Sequence, residues 1–328
     1  MTWDMLGHEW AVSVLKQHVA GGGFRHAYLF TGPQGVGRRT MALRLAQALN
    51  CPQPSAPGEP CRQCRTCQQI ENMQHPDLAV VQAEQVGGTL KVDQIRELQH
   101  SLSLAPYQAN YRVALLLRFE EAHVSAQNAL LKTLEEPPDK VVLLVTAESA
   151  ESLLPTVASR CELLRLRPLP LEMVQAGLQE RWGMPAEEAR LLAHLSGGRP
   201  GNALRLYQSP ELLEQRQIWL DDLHQLLRSN RVQRFAYADK LSRDKEKRRD
   251  ALQAWLSLWR DALLCASGSS VPLVNLDRAG EIEELARHCG PQLAYASVNA
   301  LLHALDQLEH NVHPQLCIEV LLLDLPFL

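Results

Sequence analysis

No apolar stretch in this chain is long enough to cross a membrane: runs such as Val113 to Leu117 fall far short of the roughly 20 residues that a bilayer-spanning helix needs. Basic residues are not in excess either. Lys and Arg total 33 against 37 Asp and Glu, a formal net charge of -4, so nucleic acid can be attracted only by a local patch. The first residues include Asp4 and Glu9 and no apolar signal core, which argues against secretion and for a soluble cytoplasmic protein. No internal repeat or low-complexity tract is present. Hydrophobic residues make up 46% of the chain, enough to fill real cores and to exclude a disordered scaffold. A length of 328 residues exceeds one compact core and suits about two or three domains.

The eight cysteines are distributed unevenly. Cys161, Cys265, Cys289 and Cys317 are scattered, whereas Cys51, Cys61, Cys64 and Cys67 crowd into one segment with the spacing C-x9-C-x2-C-x2-C. A disulfide framework is unexpected in a large chain with no secretory signal. Four clustered thiolates can close a tetrahedral site around structural zinc, with Zn–S bonds of about 2.3 Å. An iron–sulfur run of the ferredoxin type needs a further Cys at position 71, and that residue is Glu71. The alternative is four buried thiols without a metal.

Strand-like and helix-like segments alternate in the first half. Ala27 to Thr31, Leu78 to Val81, Val113 to Leu117, Val141 to Thr146 and Leu163 to Leu166 have strand character. Thr40 to Leu49, Val92 to Ser103 and Ala126 to Leu134 read as helices between them, the pattern of a parallel sheet covered on both faces. After Pro168 and Pro170 no strand is expected. Leu171 to Trp182, Pro185 to Leu195 and Pro200 to Leu206 form a helical trio, and long leucine-rich helices follow from Pro210, broken by a loop around Ala266 to Pro272. The expected division is an α/β domain over 1–166 with the cysteine insertion at about 50–70, a small helical domain over 167–207, and an all-α domain over 208–328.

Gly32 to Arg39 has the glycine frame of a P-loop, G-x-x-x-x-G-K-[ST], but neither chemical residue. Arg38 stands where a lysine would reach the β- and γ-phosphates, and Arg39 where a hydroxyl would ligate magnesium. Thr40 cannot replace that hydroxyl, because one helical step turns a side chain by about 100°. Glu120-Glu121-Ala122-His123 looks like an acidic D-E-A-H box, yet Arg118 and Phe119 intervene after the strand, so the two acids read as a solvated face. ATP hydrolysis is therefore not expected. Backbone N–H groups at Gly32, Gly35 and Gly37 with Arg38, Arg39 and Thr40 would still attract an anion, so nucleotide binding stays open.

Three segments carry a resemblance to a known family. His26-Ala27-Tyr28-Leu29-Phe30-Thr31-Gly32-Pro33, Asn128 to Pro138 (N-A-L-L-K-T-L-E-E-P-P) and Ser159-Arg160-Cys161 are similar to the bacterial sliding-clamp loader, a branch of the AAA+ family within the DNA polymerase III holoenzyme. The resemblance implies an AAA+ (RecA-like) P-loop domain, a helical lid and an all-α collar, with a zinc module after the P-loop helix. Measured back from Asn128, the family spacing puts its Walker B acids at Leu117 and Arg118, and its sensor-2 arginine at Gly201. The loss of these features beside an intact Ser159-Arg160-Cys161 resembles the non-motor, delta prime class of subunit. That class implies an arginine finger at Arg160, supported by Ser159 and Cys161, acting on a neighbour's ATP. It also implies a hetero-pentamer with gamma/tau ATPase and delta subunits that loads the sliding clamp onto primed DNA. The length fits a subunit with no extension beyond a third domain. One alternative is a motor-type ATPase that tolerates Arg38 and Arg39. Another is a zinc-bearing nucleic-acid module using the run Arg231 to Arg249, although its mixed charges at helical spacing read as a solvated helix.

Overall fold

Five short and mainly apolar segments, charged only at the end residues Arg112, Glu162 and Arg165, line up as one parallel sheet in the computed structural model, which describes residues 3–85, 87–310 and 312–328. In chain order the α/β part comprises α1 (Glu9–Ala20), β1 (Ala27–Thr31), α2 (Arg38–Asn50), α3 (Arg65–Glu71), β2 (Leu78–Val81), α4 (Val92–Leu102) and β3 (Arg112–Leu116). A single 3-10 turn over Phe119–Glu121 then leads to α5 (Val124–Glu135), β4 (Val141–Ala147), α6 (Pro155–Ala158), β5 (Glu162–Arg165) and α7 (Leu171–Trp182). The strand order is β2-β3-β4-β1-β5, with every neighbouring pair parallel.

The sheet divides its side chains by alternation, because successive residues of a strand point to opposite faces. Tyr28, Phe30, Val113, Leu115, Val142 and Leu144 pack on one side with α1 and α2. Ala27, Leu29, Ala114, Leu116, Leu143 and Val145 pack on the other with α4 and α5. Both faces are thus covered, as the unbroken apolar strands require.

The described chain packs as two units. One runs to Arg181 and takes in Gly198–Asn202; the other joins Trp182–Gly197 to Ala203–Leu328. Beyond α7 the elements are α8 (Ala186–Leu195), α9 (Pro200–Gln208), α10 (Pro210–Leu227), α11 (Arg231–Ser242), α12 (Lys245–Ala266), a 3-10 turn (Leu276–Arg278), α13 (Ala279–Glu309) and α14 (Pro314–Asp324), with no strand among the described residues. Trp255 and Trp259 of α12 are fully buried with leucines of α10, α13 and α14 around them. Helix α13 is broken at Gly290 (φ 62, ψ 178), where Pro291 cannot donate to the helical ladder.

The run 231–249 is not the single solvated helix expected from its charges. It spans α11 and the start of α12, and Arg234 and Arg248 within it are buried. Arg234 is enclosed because it serves the carbonyl ends of two helices. It donates to the Leu226 carbonyl at the end of α10 (2.9 Å) and to those of Leu325 (2.9 Å) and Pro326 (2.7 Å) beyond α14. Its guanidinium carbon lies 3.7 Å from the centre of the Phe327 ring. Helix C-termini present unpaired carbonyls and a negative dipole end, so a cation without a carboxylate partner is stable there.

A second buried charge shapes the sheet side. Asp77, 1% exposed, accepts the backbone N–H groups of Tyr107, Gln108 and Ala109 at 2.7–2.9 Å and so folds the loop between α4 and β3. Burial pushes its pKa up, but those three donors and His75 outweigh burial and hold it below the usual carboxylate value. Because the folded pKa is the lower one, this stabilisation is complete above the unfolded value of about 4 and disappears as pH falls through the folded value. Asp77→Asn should cost about 2 kcal/mol in urea unfolding at pH 7. The gap between mutant and parent should narrow below about pH 4.

Candidate functional site

The loop after β1 leaves the carboxyl end of a central strand and runs directly into α2. A Cβ at Gly32 would lie 2.1 Å from the Leu166 carbonyl oxygen, and Gly37 (φ 112) caps α2 in a conformation that L-residues avoid. Helix α2 begins at Arg38, two residues before the start at Thr40 that the sequence led us to expect. Arg38 is 8% exposed and Arg39 is exposed, while Thr40 is half-buried. Buried His8 donates from Nε2 to the Val36 carbonyl (3.0 Å), and burial keeps its pKa below the ordinary value.

The acids after β3 differ from expectation. The strand ends at Leu116, so Glu120 and Glu121 arrive in the 3-10 turn, but they do not form a solvated face. Buried Phe119 anchors that turn in the core and holds both carboxylates inward. Glu120 lies 3.8 Å from Arg38, the residue at the lysine position of the loop. Burial disfavours both charges, pushing the pKa of Glu120 up and that of Arg38 down. Glu121 accepts from Arg118 (2.9 Å) and from the Gly87 N–H (2.8 Å).

The start of α9 meets the same loop. The Gly201 N–H donates to the Gly35 carbonyl (2.8 Å), and a Cβ at Gly201 would lie 2.9 Å from that oxygen. A Cβ at Gly35 would in turn lie 2.7 Å from the Asn202 nitrogen. Backbone therefore packs on backbone where the family spacing puts a sensor arginine.

Cys51, Cys61, Cys64 and Cys67 bring their sulfurs within 4.8 Å of one another, close to the roughly 3.8 Å edge of a tetrahedral four-thiolate zinc site. The cluster could hold a metal ion. The N–H groups of Cys61, Cys64 and Cys67 each point at the sulfur of the preceding cysteine in the set, at 3.4 Å. At Cys61 burial opposes ionisation, but N–H donors such as Cys64 and Gln63 outweigh it and bring the thiol to about 6; burial pushes Cys51 and Cys67 up. Around the cluster, the Trp3 indole donates to the Gly58 carbonyl (3.0 Å), Arg62 pairs with Asp4 (2.7 Å), and Lys16 pairs with Glu59. Gln47 of α2 donates to the Cys67 carbonyl (2.7 Å).

Ser159-Arg160-Cys161 follows α6 and leads into β5. Ser159 Oγ (3.3 Å) and Arg160 Nη1 (2.9 Å) both donate to the Thr156 carbonyl. Cys161 packs against the core beneath the sheet, where burial pushes its thiol up to about 12. Arg160 itself is 36% exposed and pairs with Glu135 at 2.6 Å, a partner that reading the sequence alone missed.

Residues 7–170 match the family described as DNA polymerase III, delta subunit, and residues 210–326 match its C-terminal counterpart. The DNA polymerase III subunit delta' of Bacillus subtilis is 31% identical over 302 residues, covering 91% of this chain and 90% of that protein. The delta' subunit of Pseudomonas aeruginosa is 36% identical over 208 residues, 62% of each chain. The tau subunit of Escherichia coli is 33% identical over 211 residues, which are 62% of this chain but 32% of tau. The chain belongs to the delta' family of DNA polymerase III subunits, the class expected from its three motifs together with the loss of the P-loop lysine, the strand-end acids and the sensor arginine.

The contact between α9 and the loop has a direct test. Gly201→Ala should destabilise the protein by about 1–3 kcal/mol in thermal or urea unfolding, because the added methyl meets fixed backbone. Gly280→Ala, where a Cβ meets nothing within 4 Å, should be neutral or stabilising.

Proposed function

We propose that this chain is the non-motor subunit of a clamp loader, acting in the cytoplasm with gamma/tau ATPase and delta subunits to load a sliding clamp onto primed DNA. Residues 1–166 serve as its AAA+ domain, 167–207 as a lid and 208–328 as a collar. A stripe of exposed apolar residues on α14, Leu316, Val320 and Leu323, at the spacing of one helix face, supports assembly through that last part. Among the described residues no helix is long and apolar enough to cross a bilayer.

One observation carries the reading: the loop's own cation, Arg38, is buried against Glu120, while Arg160 stands half-exposed at the surface. A transferring phosphoryl group needs a free cation, a metal-ligating hydroxyl and strand-end acids to receive its developing charge. Here the cation is turned inward, Arg39 supplies no metal-ligating oxygen, and the positions after the strand are Leu117 and Arg118. The chain therefore does not hydrolyse ATP by itself. Arg160 acts instead on the nucleotide of a neighbouring motor subunit. Its guanidinium stays charged and can bond two phosphate oxygens, so it stabilises γ-phosphate charge in trans. ATP in the neighbour draws Arg160 in and tightens the ring that holds the clamp open; hydrolysis releases that contact. Ser159 and Cys161 support the turn, one through the Thr156 carbonyl and the other through the core.

The four cysteines hold structural zinc. The metal pins a segment with few apolar residues of its own, and that segment fastens the chain around Trp3 to α2. Metal analysis of protein purified without chelator should find close to one zinc per chain. Chelation should expose Trp3, read as a fluorescence red shift that is absent from Trp3→Phe; a content below about half a zinc per chain refutes the assignment.

In a reconstituted loader, Arg160→Ala should assemble normally and lose DNA-stimulated ATPase by a factor on the order of 10³, together with clamp loading. Normal loading by an assembled mutant complex means that Arg160 is not the finger. A steady ATPase rate that copurifies with the isolated chain and vanishes on Gly37→Pro contradicts the inert-subunit reading.

A further inference from the structure

The motifs at residues 128–138 and 159–161 meet at one ion pair. Glu135, the last residue of α5, places Oε1 2.6 Å from Nη2 of Arg160, while Nη1 of the same guanidinium donates to the Thr156 carbonyl at 2.9 Å. The motif at the start of β1 reaches the same place. His26 donates from Nε2 to the Leu134 carbonyl (2.9 Å), and its own carbonyl accepts the Leu143 N–H of β4 (2.8 Å). The backbone immediately before Glu135 is thereby fixed to the centre of the sheet.

Stability does not account for this pair. Glu135 is 51% exposed and Arg160 36%, and ion pairs at such exposure are screened by water and add little to folding. The pair does restrain the long arginine side chain, whose rotamers would otherwise be lost when it engages a ligand. A guanidinium has five N–H donors, and two suffice for Glu135 and Thr156, so about three remain for another acceptor.

We infer that Glu135 is a positioning residue for Arg160. It holds the guanidinium so that the remaining donors meet the phosphate of the neighbouring subunit's nucleotide, and His26 keeps the turn that carries Glu135 in place. The inference rests on Arg160 acting as the finger. Oxygen geometry at Glu135, rather than its charge, is what the role requires.

The experiment uses the reconstituted loader with Glu135→Ala, Glu135→Gln, Arg160→Ala and the Glu135→Ala/Arg160→Ala double variant. It reads kcat and KM for DNA-stimulated ATP hydrolysis, with the melting temperature of each variant subunit. Glu135→Ala should lower kcat by about two- to tenfold, the range expected for losing one pre-ordered side chain, with KM for ATP and the melting temperature nearly unchanged. Glu135→Gln, which keeps an acceptor oxygen, should restore most of the rate, and the double variant should be no slower than Arg160→Ala. A normal kcat for Glu135→Ala beside a dead Arg160→Ala overturns the positioning role and leaves the finger intact. A faster rate in both Glu135 variants also overturns it, since the carboxylate would then be competing with phosphate. A normal rate for Arg160→Ala removes the finger itself, and this inference with it.

Discussion

Strand β1 has a hydrogen-bonded neighbour on each edge, and all five of its residues are buried. Nothing along its length can meet solvent, so only its two ends can carry chemistry. At the amino end His26 ties the last turn of α5 to the sheet. At the carboxyl end the chain must turn sharply over Leu166, and glycines in left-handed backbone make that turn possible. Ligand sites of parallel sheets lie at the carboxyl ends of the strands for the same topological reason. The burial of one short apolar segment thus determines where Arg38 and Glu120 can meet and where α9 can rest on the loop.

The strands and the glycine loop were legible because each follows from a local rule: unbroken apolar runs are strands buried on both faces, and glycine at fixed spacing marks a tight turn. Leu78 to Val81 needed no adjustment at all. Helix α2 starts two residues before Thr40, because its first two residues are Arg38 and Arg39 and a pair of arginines carries no apolar period. The short α3, which is capped by Cys64 and contains Cys67, leaves little trace in the sequence because seven residues hold barely two turns.

Charge was the harder signal. Two adjacent glutamates read as a wet surface, yet Phe119 beside them is a core anchor, and it decides where their carboxylates go. Arg234 sits in a run of mixed charges and has no acidic partner among its bonds; its counter-charge is the ends of two helices, which only the tertiary fold brings together. The same holds for Glu135 and Arg160, 25 residues apart in sequence and joined only because β4 and α6 return the chain to the end of α5. Motifs that seemed separate landmarks in the sequence are, in space, one connected set of contacts.

The break in α13 shifts the phase of a helix. Before Gly290 the buried face runs through Ile282, Leu285 and Cys289; after Pro291 it runs through Ala294, Ser297, Leu301 and Ala304. An unbroken helix would have carried the first stripe on to about position 293 and then 296 or 297, with residue 294 turned away. The bend moves the seam on by about one residue, roughly 100° of rotation, so that small Ala294 faces the core and Leu293 is turned out, 51% exposed. Gly290 and Pro291 therefore act as a one-residue correction in the helical count. With it, a 31-residue rod keeps an alanine inward and presents Leu293 and Tyr295 to whatever lies outside.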